Sequence, residues 1–121
     1  MTPTDIALHQ KSKILELKWP DDVSHKLPCE YLRVFSPSAE VRGHMPGQET
    51  LQLGKENVNI KAIEPVGHYA LKLVFDDNHD SGLFSWDLLR DLGENHDANW
   101  ADYLKRCEAQ GYERKQPGQI I

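Results

Sequence analysis

The sequence predicts an α+β fold, with small antiparallel sheets of about five to seven short strands followed by two C-terminal helices. Segments that alternate apolar and polar residues, separated by Gly, Pro, Asp and Asn, fill much of the chain up to Phe84. This period is typical of half-buried strands. Helical spacing of apolar residues begins only after Ser85. A length of 121 residues suits a single domain over 1–121, and we expect residues 1–4 and 112–121 to be flexible.

Strand-like segments occur at residues 6–9, 13–19, 23–27, 58–63, 69–75 and 79–84. The turn residues at 20–22 predict a hairpin between the second and third segments. Pro28 should end its hydrogen-bond ladder, because proline has no N–H to donate. Residues 30–35 fit either a helical turn or a strand. Residues 36–48 contain two prolines and two glycines, which predicts a long loop with a functional role or high mobility.

Two helices are predicted near the C-terminus. Ser85 is a good N-cap for the first, and Gly93 is placed to end it. The second helix spans about residues 98–110, and Gly111 should end it. Its predicted apolar face comprises Trp100, Tyr103, Leu104 and Cys107.

Composition excludes several functional classes. The formal net charge of −5 and pI near 5.6 argue against a nucleic-acid-binding surface, which is normally basic. No apolar run is long enough to cross a membrane, and no secretory signal opens the chain. Two cysteines are too few for a disulfide framework. These features favour a cytoplasmic protein that binds neither membranes nor nucleic acids.

The densest polar cluster lies at residues 76–92. Within it, His79 has Asp77 and Asp80 close in sequence, and imidazole with carboxylates could bind a divalent metal such as zinc or iron. The same residues are typical of a solvated turn, which we favour. A non-haem iron triad needs His-x-Asp, and none of the six histidines has Asp two positions later.

Arginines and cysteines supply further candidate groups. Arg33, Arg42 and Arg90 could bind an anionic partner if the fold gathers them, because guanidinium matches carboxylate geometry. Scattered surface arginines are the ordinary alternative. Cys29 and Cys107 are interpreted as small buried apolar groups rather than nucleophiles.

Four motifs occur in combination: Trp19-x-Asp21, Leu32-Arg33, the segment from Ser36 to Gly43, and the segment from His79 to Arg90. Together they resemble the gamma-butyrobetaine hydroxylase-like N-terminal domain family, formerly a domain of unknown function. The resemblance covers roughly residues 8–110, and stand-alone bacterial members look much like this chain.

The resemblance implies a metal site that this sequence has altered. In the hydroxylases, this domain binds a structural zinc through three cysteines and one histidine. The histidine matches His79, and the cysteine positions fall on Ser36, Ser38 and Val41. Serine is a poor zinc ligand and valine is none. We therefore predict that the protein folds without the family zinc and needs no cofactor. We expect no oxygenase domain and hence no hydroxylase activity.

Two functional hypotheses follow. The first is a non-enzymatic accessory module that binds a protein partner through residues 36–48 and the His79 turn, with Arg33, Arg42, His44 and Arg90 as candidate contacts. The second is a metal- or small-ligand-binding protein centred on His79, with Asp77, Asp80 or His44 as further ligands. Iron–sulfur handling would be a variant of the second that needs a dimer, because two separated cysteines cannot hold a cluster alone. That the chain is an independent enzyme is the least favoured hypothesis. The sequence indicates neither the partner nor the oligomeric state.

Overall fold

The structure, a computed structural model, describes residues 1–43 and 50–115. These residues form two three-stranded antiparallel sheets with four helices. The elements are β1 Asp5–His9, β2 Ile14–Lys18, β3 Ser24–Pro28, α1 Cys29–Val34, α2 Ala39–Arg42, β4 Ile60–Val66, β5 Ala70–Phe75, β6 Leu83–Ser85, α3 Trp86–Glu94 and α4 His96–Ala109. The α+β class and the two C-terminal helices are confirmed. The six strands form two separate sheets, and α1 and α2 lie between the sheets in the chain.

The first sheet has the order β1-β2-β3. Its central strand buries Leu15 and Leu17 completely, as the alternation predicted. As predicted, the ladder ends at Pro28, which pairs with Ile14 as the last residue of β3. Proline is tolerated on an edge strand, where its missing N–H is not needed, and β3 is such an edge.

The second sheet has the order β4-β5-β6. Its central strand buries Leu71, Leu73 and Phe75. The predicted strand over 79–84 is mostly wrong, because β6 is limited to Leu83–Ser85. The preceding residues form a turn in which the N–H of Phe75 donates to the carbonyl of His79 at 3.0 Å.

The region from residue 29 to 43 is more helical than the sequence predicted. Residues 29–34 form α1, which resolves the ambiguity over 30–35 in favour of a helix. The prediction of a loop is wrong for α2, where the Ser38 hydroxyl caps the helix by accepting from the N–H of Glu40 at 3.3 Å. A single turn of four residues is too short to show helical periodicity.

Helix α3 begins after Ser85, whose hydroxyl accepts from the N–H of Leu88 as an N-cap, as predicted. It runs to Glu94, so the prediction that Gly93 ends it is wrong. Gly93 instead permits close packing on β3. A Cβ atom at this position would come within 2.3 Å of Nδ1 of His25, and that nitrogen already accepts from the indole N–H of Trp19 at 3.1 Å.

We expect Gly93→Ala to destabilise the protein by about 1–3 kcal/mol, because the added methyl must displace the His25 ring. In a helix without such a close neighbour, the same change would stabilise the helix by about 1 kcal/mol. Urea unfolding of a double-mutant cycle with His25→Ala measures the difference. If Gly93→Ala is equally harmful in the His25→Ala background, the packing explanation is wrong.

Tyr31 joins α1 to the two C-terminal helices. Its hydroxyl donates to the carbonyl of Leu92 at 2.7 Å and accepts from the amide of Asn99 at 3.0 Å. On α4, Tyr103 and Cys107 are buried as predicted, whereas Leu104 is 39% exposed and does not belong to the buried face. None of the helices in residues 1–43 and 50–115 is long and apolar enough to cross a membrane.

The described part of the C-terminal segment packs against the domain. The Tyr112 hydroxyl donates to Glu56 at 2.6 Å, and the Arg114 guanidinium donates to both carboxylate oxygens of Glu30. The flexibility expected of residues 112–115 stays a prediction. The rest of the predicted tail, 116–121, lies outside the described residues.

Candidate functional site

The segment after α1 and the turn after β5 meet in a buried polar cluster. Ser36 follows α1, and its hydroxyl oxygen lies 2.8 Å from Nε2 of His79, with both residues buried. Ser38 lies 2.7 Å from Ser81 between hydroxyl oxygens. Gly82 permits this approach, because a Cβ there would come within 2.4 Å of the Ser36 hydroxyl. The fold thus brings Ser36 and His79 into contact, and a hydrogen bond joins them.

The remaining position implied by the zinc pattern is Val41, which is buried on α2. Across residues 1–43 and 50–115, no group of three or more His, Cys, Asp or Glu side chains is placed to hold a metal ion. That the protein folds without zinc stays a prediction. His44, the other proposed ligand, lies outside the described residues.

The second ring nitrogen of His79 has a different environment. Nδ1 lies 3.3 Å from a carboxylate oxygen of Glu40, but the geometry gives no hydrogen bond, and within the described residues this buried atom has no partner. Burial lowers the pKa of His79, and the nearby Arg33 cation lowers it further. The imidazole is therefore predominantly neutral at pH 7, which suits a hydrogen bond to a serine hydroxyl.

The arrangement resembles a catalytic triad of nucleophile, base and acid. The Ser36 hydroxyl lies beside Nε2 of His79, and the Glu40 carboxylate lies beside Nδ1. Acyl transfer also requires that a substrate carbonyl reach the nucleophile. Ser36 has 0% exposure, so this arrangement gives its hydroxyl no approach. The contact therefore serves packing in this conformation.

The two aspartates proposed as metal ligands have separate roles. Asp77 accepts hydrogen bonds from Nε of Arg33 at 2.9 Å and from Nζ of Lys55 at 2.7 Å. Burial alone would raise the pKa of Asp77, but these hydrogen bonds outweigh it and hold the pKa below its usual range. Asp80 is more than half exposed and lies 3.8 Å from Lys72. The structure therefore does not gather both carboxylates around His79.

The arginines proposed as an interaction surface are also separated. Arg33 is buried and held by Asp77. Arg90 donates two hydrogen bonds to Asp21 at 3.0 and 2.7 Å and lies over the Trp19 ring at 5.4 Å. Only Arg42 is exposed, and none of the described acidic side chains forms an ion pair with it.

Arg42 stands beside a pocket of about 260 Å³ between α2 and α4. We call it the α2–α4 pocket. Its apolar lining includes Phe35, Val41 and Leu51, and the charged residues among its described lining are Arg42 and Arg106. The described residues that line it are Val34, Phe35, Ser36, Val41, Arg42, Thr50, Leu51, Gln52, Tyr103 and Arg106. Arg106 forms an exposed ion pair with Asp102 at 3.1 Å, and pairs of this kind contribute little.

Sequence reasoning missed the contribution of α4 and of residues 50–52 to this pocket. The Tyr103 hydroxyl donates to the carbonyl of Gln52 at 2.6 Å across 51 positions of sequence. Burial raises the pKa of Tyr103, so the hydroxyl stays protonated as a donor. The helical spacing of Tyr103 and Cys107 indicated a buried face but not what would lie beside it.

Comparison with known proteins gives a family and several similar structures. The family model described as gamma-butyrobetaine hydroxylase-like, N-terminal, matches residues 6–90. Two proteins solved by NMR in solution are 51% and 47% identical, each covering 99% of this chain, with TM-scores of 0.82 and 0.81. The match spans 94% of the first of those chains and 89% of the second.

A crystal structure from Acidithiobacillus ferrooxidans is also similar. That protein is described as having unknown function and as belonging to the DUF971 family. It is 36% identical, covers 76% of this chain and 92% of its own, and has a TM-score of 0.64. No curated protein matches. The three structures cover between 76% and 99% of this chain.

Proposed function

Because this chain belongs to the gamma-butyrobetaine hydroxylase-like N-terminal family, we propose that it is a non-enzymatic module that binds a protein partner. The partner would place an apolar side chain in the α2–α4 pocket, with acidic residues beside it. The observation that carries this proposal is that the described residues of the pocket combine apolar walls with Arg42 and Arg106 and include no carboxylate, in a chain of net charge −5.

The α2–α4 pocket has a volume of about 260 Å³. A large side chain of a partner would suit it, since interfaces often bury a few anchor residues in pockets. Arginine beside such a pocket favours acidic neighbours, because complementary charge sets specificity and association rate.

The test is display selection of random dodecapeptides on the wild-type protein, followed by fluorescence anisotropy with the enriched peptides. We expect enriched peptides to combine an apolar anchor with Asp or Glu. Arg42→Glu should weaken their binding about tenfold or more, because like charges would face each other.

Lys26→Glu is the matched control. Lys26 is exposed on β3 and does not line the pocket, and its reversal changes the net charge by the same amount. The proposal would be contradicted if no acidic peptides were enriched. It would also be contradicted if Arg42→Glu and Lys26→Glu lost the same peptide-binding affinity. We further propose a cytoplasmic location, for which the two free buried cysteines offer support.

Metal binding at His79 is the second candidate. Nδ1 of this buried histidine has no hydrogen-bond partner among the described residues, which favours this candidate because a ligand could satisfy that atom. Calorimetric titration of wild type and His79→Ala with zinc, iron(II) or manganese decides between the candidates. Binding that His79→Ala abolishes would support the metal site, and the same null traces from both proteins would exclude it.

A further inference from the structure

One edge of the first sheet is open. Strand β1 lies at the end of the order β1-β2-β3 and pairs only with β2 among the described strands. Within residues 1–43 and 50–115, no backbone group of residues 5–9 makes a hydrogen bond outside the ladder with β2. An edge strand presents a row of N–H and C=O groups away from its neighbour, and a further strand can pair with them.

The other three edges of the described sheets are protected in ways that native proteins commonly use. On β3, His25 is covered by α3, because Gly93 packs directly against its ring. Strand β4 contains Pro65 and a register irregularity between Ile60 and Ala62. Strand β6 has only three residues and leads directly into α3. By contrast, the five residues of β1 keep a regular register and include no proline.

The side chains of β1 form a self-complementary pattern. The strand reads Asp5-Ile6-Ala7-Leu8-His9, and successive side chains of a strand point to opposite faces. Ile6 and Leu8 pack against the core. Asp5, Ala7 and His9 therefore share the other face, and Asp5 and His9 are exposed. An acidic and a basic group thus stand at equal distances on either side of Ala7.

Two copies of this strand match each other in antiparallel orientation. With a two-fold axis at Ala7, Asp5 lies opposite His9 of the partner subunit, and Ile6 lies opposite Leu8 of the partner subunit. Residues directly opposite each other share a face, and opposite charges at such positions stabilise the pair. An axis at Ile6 or at Leu8 would place Ala7 opposite Asp5 or His9 and would lose both charged pairs.

Both charged side chains can accept a further partner. Nε2 of His9 lies 3.0 Å from Glu16, whereas Nδ1 makes no hydrogen bond to any of the described residues. Asp5 takes part in none of the ion pairs among the described side chains. A protonated imidazole donates from both ring nitrogens, so His9 can bind Glu16 and Asp5 of the partner subunit together.

We propose that β1 pairs with β1 of a second copy of this chain, antiparallel and centred on Ala7. The contact would join the three-stranded sheets of two chains into one continuous sheet. It uses the same surface twice and therefore closes as a dimer. Five residues from each chain form a small contact, since a standard interface uses about 20–30 residues a side. The dimer should therefore be reversible, with a dissociation constant in the micromolar to millimolar range.

The test is sedimentation equilibrium of the full chain from micromolar to millimolar concentration, in slightly acidic buffer. An isotope-filtered NOE experiment on an equal mixture of labelled and unlabelled chains then locates the contact. We expect a monomer–dimer equilibrium and intermolecular NOEs between Ala7 and Ala7 of the partner subunit. A chain that stays monomeric would leave this edge to a strand of another protein, or to none, and would overturn the proposal. A dimer without NOEs between the two β1 strands would overturn it equally.

Charge exchange tests the register. Asp5→Lys should weaken the dimer about tenfold or more, because a cation would face His9 of the partner subunit. The double variant that adds His9→Asp restores opposite charges in exchanged positions and should recover most of the affinity. Glu108→Lys, exposed on α4, changes the net charge by the same amount as Asp5→Lys and should dimerise as the wild type does. Equal affinity in these two single variants, or no recovery in the double variant, would contradict this pairing.

The β1 edge and the α2–α4 pocket can be tested separately. No residue of β1 is among the described residues that line the pocket. Arg42→Glu should therefore leave the dimer unchanged, and Asp5→Lys should leave peptide binding unchanged. Loss of the dimer in Arg42→Glu would overturn its assignment to β1.

Discussion

Replacement of Ser36, Ser38 and Val41 by cysteine should yield a protein that binds one zinc ion per chain. Nε2 of His79 already points at the oxygen of Ser36, 2.8 Å away, so a thiolate at position 36 would stand beside the histidine nitrogen. Together with cysteines at the other two positions, it would provide the Cys₃His set of a closed tetrahedral site. The wild-type hydrogen bond would be exchanged for metal–ligand bonds.

The expected effect is large. Structural zinc sites of this type contribute apparent free energies of about 10–16 kcal/mol at neutral pH in small domains, whereas a single hydrogen bond contributes about 1 kcal/mol. The triple variant should therefore unfold at a clearly higher temperature with zinc than with a chelator. Elemental analysis of protein purified without a chelator gives the stoichiometry, and thermal unfolding gives the stabilisation.

Two controls make this result specific. His79→Asn in the triple-cysteine background should lose the stoichiometric zinc, because one of four ligands is removed. The wild type should contain none and should unfold at the same temperature with or without chelator. Stoichiometric zinc in the wild type would refute the prediction that this chain folds without the metal. A triple variant that takes up no zinc would mean that positions 36, 38 and 41 do not converge on His79.

The predicted parts of the fold depend on local patterns. Burial of alternate residues such as Leu15, Leu17, Leu71 and Leu73 follows from a period of two, which a few neighbouring residues reveal. The N-cap at Ser85 is equally local. These signals fixed the α+β class and the order of most elements, but they do not determine how strands divide between sheets.

The parts that the sequence did not predict depend on distant contacts. Gly93 looks like a helix end until His25 of β3 is placed against it. Glu56 lies among Gly, Lys and Asn and has the pattern of a solvated loop, yet it is buried by Tyr112, 56 positions later. The contact of Ser36 with His79 spans 43 positions and was indicated only by resemblance to a family.

Replacement of Asp77 by alanine should be among the most damaging single changes in this protein. Arg33 is 6% exposed, and Asp77 accepts its Nε hydrogen. The Nη1 atom of Arg33 already lacks a hydrogen-bond partner among the described residues, so loss of Asp77 would leave a buried guanidinium without its anion. Breaking a buried ion pair from one side usually costs about 3–5 kcal/mol.

Urea unfolding should therefore show Asp77→Ala to be less stable than wild type by about 3 kcal/mol, with a melting temperature lower by roughly 10 °C. Asp80→Ala is the matched control, because Asp80 is exposed and its nearest cation is 3.8 Å away, a contact that contributes about 0–1 kcal/mol.

The double variant that combines Arg33→Met with Asp77→Ala tests whether the unpaired guanidinium causes the loss of stability. Removing both charges eliminates the unpaired guanidinium, so the double variant should recover part of the stability lost in Asp77→Ala. Equal, small effects of Asp77→Ala and Asp80→Ala would mean that both aspartates belong to a solvated turn. A large effect confined to Asp77, with partial recovery in the double variant, would establish that the aspartate most suggestive of a metal ligand in the sequence serves to neutralise Arg33.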